Sequence, residues 1–416
     1  MPGRSAVNPR TVVNPADLHD DQVVALLRSG AHAALLGAYF GETLYQELSQ
    51  LARLAASQPK PRGPLVYVLP GIMGSRLSSV RRRQSSLIWL HPAAVTEGSL
   101  SRLILPGPRS IRTVGIMLPG YLKLKLSLEV AGFRPVFHPF DWRCDLERLG
   151  RAFMQTIERS GTRKVLVVAH SMGGLVARAA LAHDRQRRIA KLVQLGTPNS
   201  GSFAPLQAMR AVYPTVRKLA ALDTRHTAED LARMVFRTLP GLYQMLPQSL
   251  FDPAAWPQDE LAPNSRLLLK ARKLRQRQVP ADARCFLIAG THQETISAAA
   301  LRDDGFEYSI GCDGDGTVPT ALAAWPGAPT WYVEENHGAL TNNATVLAAI
   351  EDILATGATG RLTDQAPALD GKELRRVTDA ELRAQATGKL RWESLSLDSR
   401  RRILEPVISP EFARAL

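Results

Sequence analysis

The sequence predicts an α/β protein: a mostly parallel central sheet with helices on both faces, interrupted by a helical cap insertion. Three observations predict it. Residues 164–169 hold the unbroken apolar run Val165-Leu166-Val167-Val168, the pattern of a strand buried on both faces. A helical pattern (Leu175, Val176, Ala179, Ala180, Ala182) follows within a few residues. Strand-like and helix-like stretches alternate from residue 65 to residue 195, which argues for right-handed crossovers between parallel strands. The sheet pattern then stops and resumes only at 284–290, so residues 203–283, helical in character and rich in apolars and prolines, read as a cap between two core strands.

At 416 residues the chain has room for one large domain or two ordinary ones. We divide it into an N-terminal helical extension (1–62), a sheet domain carrying the cap (63–356) and a charged C-terminal tail (357–416). A hydrophobic fraction of 45% excludes wholesale disorder. The formal charge of +14, from 52 Lys and Arg against 38 Asp and Glu, favours anionic surfaces but sets no fold. No nucleic-acid partner is expected, and the sequence carries no signal for an oligomeric state. Cys144, Cys285 and Cys312 are widely spaced and form no C-x-x-C pair, which fits a reducing compartment without a disulfide framework. Residues 1–8 lack a signal-peptide pattern, and no run approaches the ~18 apolar residues of a spanning helix. The expectation is a cytoplasmic protein, with peripheral contact to an anionic membrane and signal-independent secretion left open as alternatives.

In chain order, residues 1–13 read as unstructured, and Asn14-Pro15 reads as an N-cap and helix-starting proline, with the helix stopping near Gly30. One helix is expected over 31–56, its Leu35, Leu36, Tyr39, Phe40, Leu44, Leu48 and Leu51 stripe packing on the domain rather than on a membrane. Prolines mark 58–64 as a linker. A strand at 65–69 leads into Pro70-Gly71-Ile72-Met73-Gly74-Ser75. Arg81-Arg82-Arg83 reads as a solvated loop. Phe140-Asp141-Trp142-Arg143 reads as structural, its Asp and Arg pairing across a turn. Further strands are expected at 134–137, 190–195 and 330–333, and helices at 121–131, 146–157 and 340–354. In the tail, Thr378-Asp379-Ala380-Glu381 is a capping box opening a short helix.

The chemistry centres on Ala169-His170-Ser171-Met172-Gly173-Gly174. A strand that enters a helix through Ser and Gly is the elbow that exposes a nucleophilic serine at a helix N-terminus, where backbone N–H groups stabilise negative charge. Residues two before and two after the serine must be small, and here Ala169 stands where glycine is usual. Serine needs a base, and in this arrangement the chain order is Ser, acid, His. Only His337 follows the acidic turn and sits just after a strand. Asp315, between two glycines, is favoured as the acid over Asp313, Asp303 and Asp304. A calcium loop at 312–319 is rejected because the D-x-D-x-D-G series and distal Glu are absent. His170 is read as structural. The glycine-rich loop offers the N–H of Ile72, which with that of Met172 would form an oxyanion hole. No cofactor and no metal are expected. Within the cap, Leu219, Phe236, Leu242, Met245, Phe251 and Trp256 are among the apolars expected to supply an acyl pocket. Arg266, Lys270, Arg272, Lys273, Arg275 and Arg277 form a basic cluster facing anionic lipid or solvent.

The stretches Val68-Leu69-Pro70-Gly71-Ile72-Met73-Gly74-Ser75, Phe140-Asp141-Trp142-Arg143, Ala169–Gly174, Gly196-Thr197-Pro198, Gly314-Asp315-Gly316-Thr317-Val318 and Asn336-His337 occur in an informative order. In that order the chain resembles a bacterial member of the lecithin:cholesterol acyltransferase-like branch of the α/β-hydrolases, over residues 65–355. The resemblance implies the α/β-hydrolase fold and acyl esters of lipids as substrates. It matches Ser171, Asp315 and His337 to the family's triad and Ile72 and Met172 to its oxyanion positions. The chain departs from the secreted animal members in lacking a signal peptide and a lid disulfide. The expected function is a lipid acyl-ester hydrolase or acyltransferase of esterase, lipase or phospholipase A type. The alternative is a non-catalytic lipid- or partner-binding module on the same fold.

Overall fold

A computed structural model describes residues 18–59, 62–81, 84–368 and 373–385, with short stretches between 388 and 399. In chain order the strands are β1 (Leu65–Leu69), β2 (Ser75–Arg81), β3 (Gln84–Trp89), β4 (Ile111–Ile116), β5 (Arg134–Phe137) and β6 (Val165–His170). They continue with β7 (Ile189–Leu195), β8 (Cys285–Gly290), β9 (Thr295–Arg302), β10 (Gly305–Gly311), β11 (Thr330–Val333) and β12 (Arg375–Thr378). Six of them form one sheet in the order β11-β8-β7-β6-β1-β5, every neighbouring pair parallel. β6 and β8 are buried at all six positions, as strands covered on both faces must be.

Alternate residues of each strand feed opposite faces. Tyr67, Leu69, Val165 and Val167 pack with Leu149, Phe153 and Val176, from the helices Leu146–Arg159 and Met172–Leu181. Val66, Val68, Leu166 and Val168 pack instead with Leu122, Leu126, Ile350 and Ile353, from Leu118–Val130 and Ala344–Thr356. This is the α/β-hydrolase arrangement, here with all six strands of the central sheet parallel and helices on both sides.

The N-terminal helices join the second face. The first, Asp20–Ser29, ends at Gly30 in the left-handed region, as expected. It does not start at Asn14-Pro15 as expected, for it begins only at Asp20, with His19 in extended backbone as its N-cap. Residues 1–15, Lys60 and Pro61 of the linker, and Arg82 and Arg83 lie outside the described residues, whereas Arg81, expected in a loop with them, ends β2. The single helix expected over 31–56 is two, Ala33–Phe40 and Glu42–Ser57, because Gly41 adopts φ 80° and ψ 147° and breaks the hydrogen-bond ladder. Their stripe packs on the domain through Leu36, Phe40, Tyr45, Leu48 and Ala52. Lys125 of the core helix meets Asp20 at 2.6 Å and Lys123 meets Glu47 at 2.8 Å.

Two small antiparallel sheets, β3-β2-β4 and β12-β10-β9, were not expected. Phe140-Asp141-Trp142-Arg143 is structural, with Asp141 holding Arg143 through two hydrogen bonds of 2.8 and 2.7 Å. Residues 203–283 carry no strand among the described residues; helices Ala204–Met209, Pro214–Leu222, Ala228–Met234, Pro240–Gln244 and Ser265–Arg275 fill the stretch. The capping box at Thr378 forms as expected, with Glu381 as its partner. The same segment reaches into the protein: β12 pairs with β10, and Asp379 is 1% exposed. Asp379 accepts hydrogen bonds from Arg210 Nε of the cap (2.8 Å) and Tyr308 Oη of the hairpin (2.7 Å), while Arg210 Nη1 reaches Asp259 at 2.8 Å.

Removing one partner of such a buried pair strands the other charge in a low-dielectric interior. Asp379→Ala should therefore cost ~3–5 kcal/mol in denaturant unfolding. A loss below ~1 kcal/mol, the range of a surface ion pair, would show that Asp259 alone is enough to hold the Arg210 charge.

Candidate functional site

The site is built at the carboxyl end of β6. The strand runs buried to His170, and the helix Met172–Leu181 begins one residue after Ser171. Ser171 itself takes φ 53° and ψ −125°, a conformation that side-chain-bearing residues rarely adopt. Its N–H donates to Leu195 O of β7 (2.8 Å), pinning the turn to the sheet. A side chain on Gly173 would place Cβ 2.4 Å from Pro70 O and 2.9 Å from Leu69 O, so the elbow packs directly on the end of β1. Ala169, where glycine is usual, is fully buried.

His337 lies on the segment that follows β11, and its ring sits between the other two side chains. Its Nδ1 is 2.7 Å from Asp315 Oδ2, and its Nε2 is 2.9 Å from Ser171 Oγ. The carboxylate can only accept at Nδ1, so Nδ1 carries the proton and Nε2 offers its lone pair to the serine hydroxyl. The backbone repeats the pairing, with His337 N–H donating to Asp315 O at 2.7 Å. Asp315 is fixed from its other side, where Oδ1 accepts from Thr317 N–H (3.0 Å) and Val318 N–H (2.7 Å). Ser171, Asp315 and His337 are 6%, 1% and 3% exposed, so water does not compete for these bonds. The turn brings Asp315 to the histidine; Asp303 and Asp304 sit at the tip of the β9–β10 hairpin.

Ile72 and Ser171 line one cavity together with Leu242 and Met245 of the cap, and Pro205 and Ala208 add to its apolar wall. Met172 is the first residue of its helix, where an N–H has no intrahelical acceptor. Neither the Ile72 nor the Met172 N–H donates to a backbone carbonyl among the described residues. Of the other apolars expected at the pocket, Leu219 and Phe236 belong to the core shared with the sheet, and Phe251 and Trp256 to a separate cluster with the β9–β10 hairpin. His170 is not part of the Ser–His–Asp chain. Its Nδ1 is 2.9 Å from Tyr121 Oη, and its Nε2 is 2.9 Å from His337 O. Burial pushes its pKa down to about 3, so the ring stays neutral.

Two contributors were not read from the sequence. Tyr121 resembles any other apolar position of its helix. Gly196, whose φ is 53°, was noted only as part of Gly-Thr-Pro; a Cβ there would lie 2.9 Å from Asp315 Oδ2 and 3.0 Å from His337 Nδ1.

Residues 121–276 match the lecithin:cholesterol acyltransferase family. No curated protein matches the chain in sequence. Among solved structures, the mature lipase BlEst2 of Bacillus licheniformis is 14% identical, with 73% of this chain and 95% of that chain covered and a TM-score of 0.39. The carboxylesterase CesB of Bacillus subtilis is 12% identical, with 77% and 99% covered and a TM-score of 0.35. Phospholipase PlaB of Legionella pneumophila is 16% identical, with 62% and 45% covered and a TM-score of 0.27. Likenesses this distant carry no argument about the site, and the fold stands on the chain's own strand order and elbow.

Gly196→Ala tests the packing of the pair. The added methyl should push the imidazole off the carboxylate and remove the low-field proton resonance of a hydrogen-bonded His Nδ1–H, with the fold retained by circular dichroism. An unchanged resonance would mean that the loop yields instead.

Proposed function

From a chain with the α/β-hydrolase fold that matches the lecithin:cholesterol acyltransferase family over 121–276, we propose a serine hydrolase or acyltransferase of lipid acyl esters working through an acyl-enzyme. The observation that carries this reading is the unbroken hydrogen-bond chain Asp315–His337–Ser171 beneath an apolar cavity. Ser171 Oγ attacks the ester carbonyl while its proton passes to His337 Nε2. Asp315 holds the ring in the Nδ1–H tautomer and stabilises the imidazolium. The N–H groups of Ile72 and Met172 are assigned to the oxyanion of the tetrahedral intermediate. The imidazolium then protonates the departing alkoxide, leaving the acyl group on Ser171. Water or an acceptor alcohol, deprotonated by the same Nε2, releases it as acid or new ester. The apolar wall from Leu242, Met245, Pro205 and Ala208 suits the hydrocarbon part of an acyl group. Nothing in the site favours a non-catalytic binding module.

Ser171→Ala should abolish fluorophosphonate labelling and lower ester turnover by about four to six powers of ten. His337→Ala should fall nearly as far, and Asp315→Asn less, because the acid acts only through the base. Asp313→Asn is the internal comparison: if it loses far more activity than Asp315→Asn, the acid is misassigned.

The proposal extends to how lipid is reached. No helix among the described residues is long and apolar enough to cross a membrane. Helix Ser265–Arg275 packs through Leu268 and Ala271 and lies against Pro240–Gln244, whose Leu242 lines the cavity. Arg266, Lys270 and Lys273, spaced on one face, are exposed, and neighbouring Leu269 is 52% exposed. Arg275 leaves this cluster: it donates to Leu246 O (3.0 Å) and to Asn199 O and Gln244 O (3.3 Å each), and lies over the Phe251 ring. It holds the cap together. The remaining face is assigned to an anionic lipid surface, each charge contributing ~1 kcal/mol there. Replacing Arg266, Lys270 and Lys273 together by Gln should weaken binding to phosphatidylglycerol vesicles at low salt, while hydrolysis of a short soluble ester is unchanged. Undiminished vesicle binding would return the cluster to a solvated surface.

A further inference from the structure

We propose that Tyr121 and His170 are positioning residues, a fixed strut that holds the 70–75 loop and the His337 segment in register across Ser171. This rests on the reading of Ser171 as nucleophile and His337 as base. The strut consists of three hydrogen bonds. Gly71 N–H donates to Tyr121 Oη (2.8 Å), Tyr121 Oη meets His170 Nδ1 (2.9 Å), and His170 Nε2 meets His337 O (2.9 Å).

The direction of each bond follows from its ends. A carbonyl oxygen only accepts, so His170 carries its proton on Nε2 and gives it to His337 O. Nδ1 is then an acceptor, so the Tyr121 hydroxyl donates to it, and the phenol oxygen is left to accept from Gly71 N–H. Each donor and each acceptor in the strut thus has a partner of the right kind, the Tyr121 hydroxyl serving as both.

The two ends are what give the strut a function. They are backbone groups, not side chains, and they belong to the two segments the chemistry uses. Gly71 immediately precedes Ile72, so fixing the Gly71 amide helps to orient the peptide that presents the Ile72 N–H. His337 O belongs to the residue whose ring takes the proton, and the His170 and His337 rings lie 4.7 Å apart. The helix Leu118–Val130 that carries Tyr121 also holds the far side of the His337 segment. Thr341 Oγ1 donates to Gly120 O (2.6 Å) and Asn342 Nδ2 to Pro119 O (3.1 Å). One helical turn is thus the common base for both segments.

A core position would be filled at lower cost by apolar groups, because burying a phenol and an imidazole loses their hydration. Burial also removes both from titration: it drives His170 down to about 3 and the Tyr121 phenol above its ordinary value. The strut therefore keeps one hydrogen-bond pattern while His337 gains and loses its proton.

The test uses the full chain, a short soluble ester and fluorophosphonate labelling, with Tyr121→Phe, His170→Gln, His170→Leu and Ser171→Ala. Tyr121→Phe leaves the Gly71 amide without its acceptor and should lower kcat and the labelling rate together, roughly 10–100-fold, with KM changed less than about twofold. The acid limb of its pH profile should stay in place, since the substitution removes no contact of the His337 ring or of Asp315. His170→Gln, which supplies one donor and one acceptor, should retain clearly more kcat than His170→Leu at matched thermal stability. Wild-type kcat in folded Tyr121→Phe, or equal rates in the two His170 variants, would overturn the strut. If Tyr121→Phe fails to fold, the His170 pair decides alone. Labelling that persists in Ser171→Ala would instead overturn the reading of the nucleophile on which the strut depends.

Discussion

The backbone at Ser171 leaves a fully buried strand, turns through φ 53° and ψ −125°, and enters a helix at the next residue. Such a conformation costs on the order of 1–3 kcal/mol at a residue with a side chain. It persists because its surroundings leave the chain no alternative. β6 is clamped between β1 and β7, Ser171 N–H is tied to Leu195 O, and Gly173 lies against the carbonyls that end β1. The strain lifts Oγ out of the sheet and toward the segment after β11. Without this turn, neither His337 nor the loop after β1 would have anything to converge on.

Around that turn the catalytic carboxylate and imidazole are buried against matched partners. Asp315 receives two backbone N–H groups on one oxygen and the imidazole on the other, so the side chain is held in place with almost no solvent contact. Arg210 and Asp379 do the same farther out, joining the cap to the β9–β10 hairpin and to the segment after residue 373. The cap is thus more than a surface insertion. Its inner helices supply the apolar wall over Ser171, and its arginines tie it to the rest of the molecule: Arg210 through carboxylates, and Arg275, from a cap helix, through a carbonyl of the core.

Much of this was legible in the sequence because it is local. The run Val165–Val168 followed by Ser and Gly needs no long-range information, and His337 stands out by its order after the acidic turn. The glycines beside Asp315 mark a sharp turn, and the turn brings that carboxylate, not Asp313, to the imidazole. What could not be read depends on partners distant in sequence. β2 reads Ser-Arg-Leu-Ser-Ser-Val-Arg, with only two apolar residues, so its pattern does not separate a sheet edge from a loop. Tyr121 meets His170 across 49 positions, and nothing in the helix around it sets it apart. Gly41 sits inside an otherwise continuous apolar stripe, where periodicity argued for one helix and backbone geometry made two. Arg275 has the same sequence pattern as its basic neighbours, and only its carbonyl partners, distant in sequence, set it apart.

The most direct measurement is the site of covalent modification. The folded protein is treated with a fluorophosphonate, digested and sequenced by mass spectrometry. The account predicts a single stoichiometric adduct on Ser171, formed at a rate that falls when His337 is protonated. An adduct on another residue, or none on protein that is demonstrably folded, would contradict it.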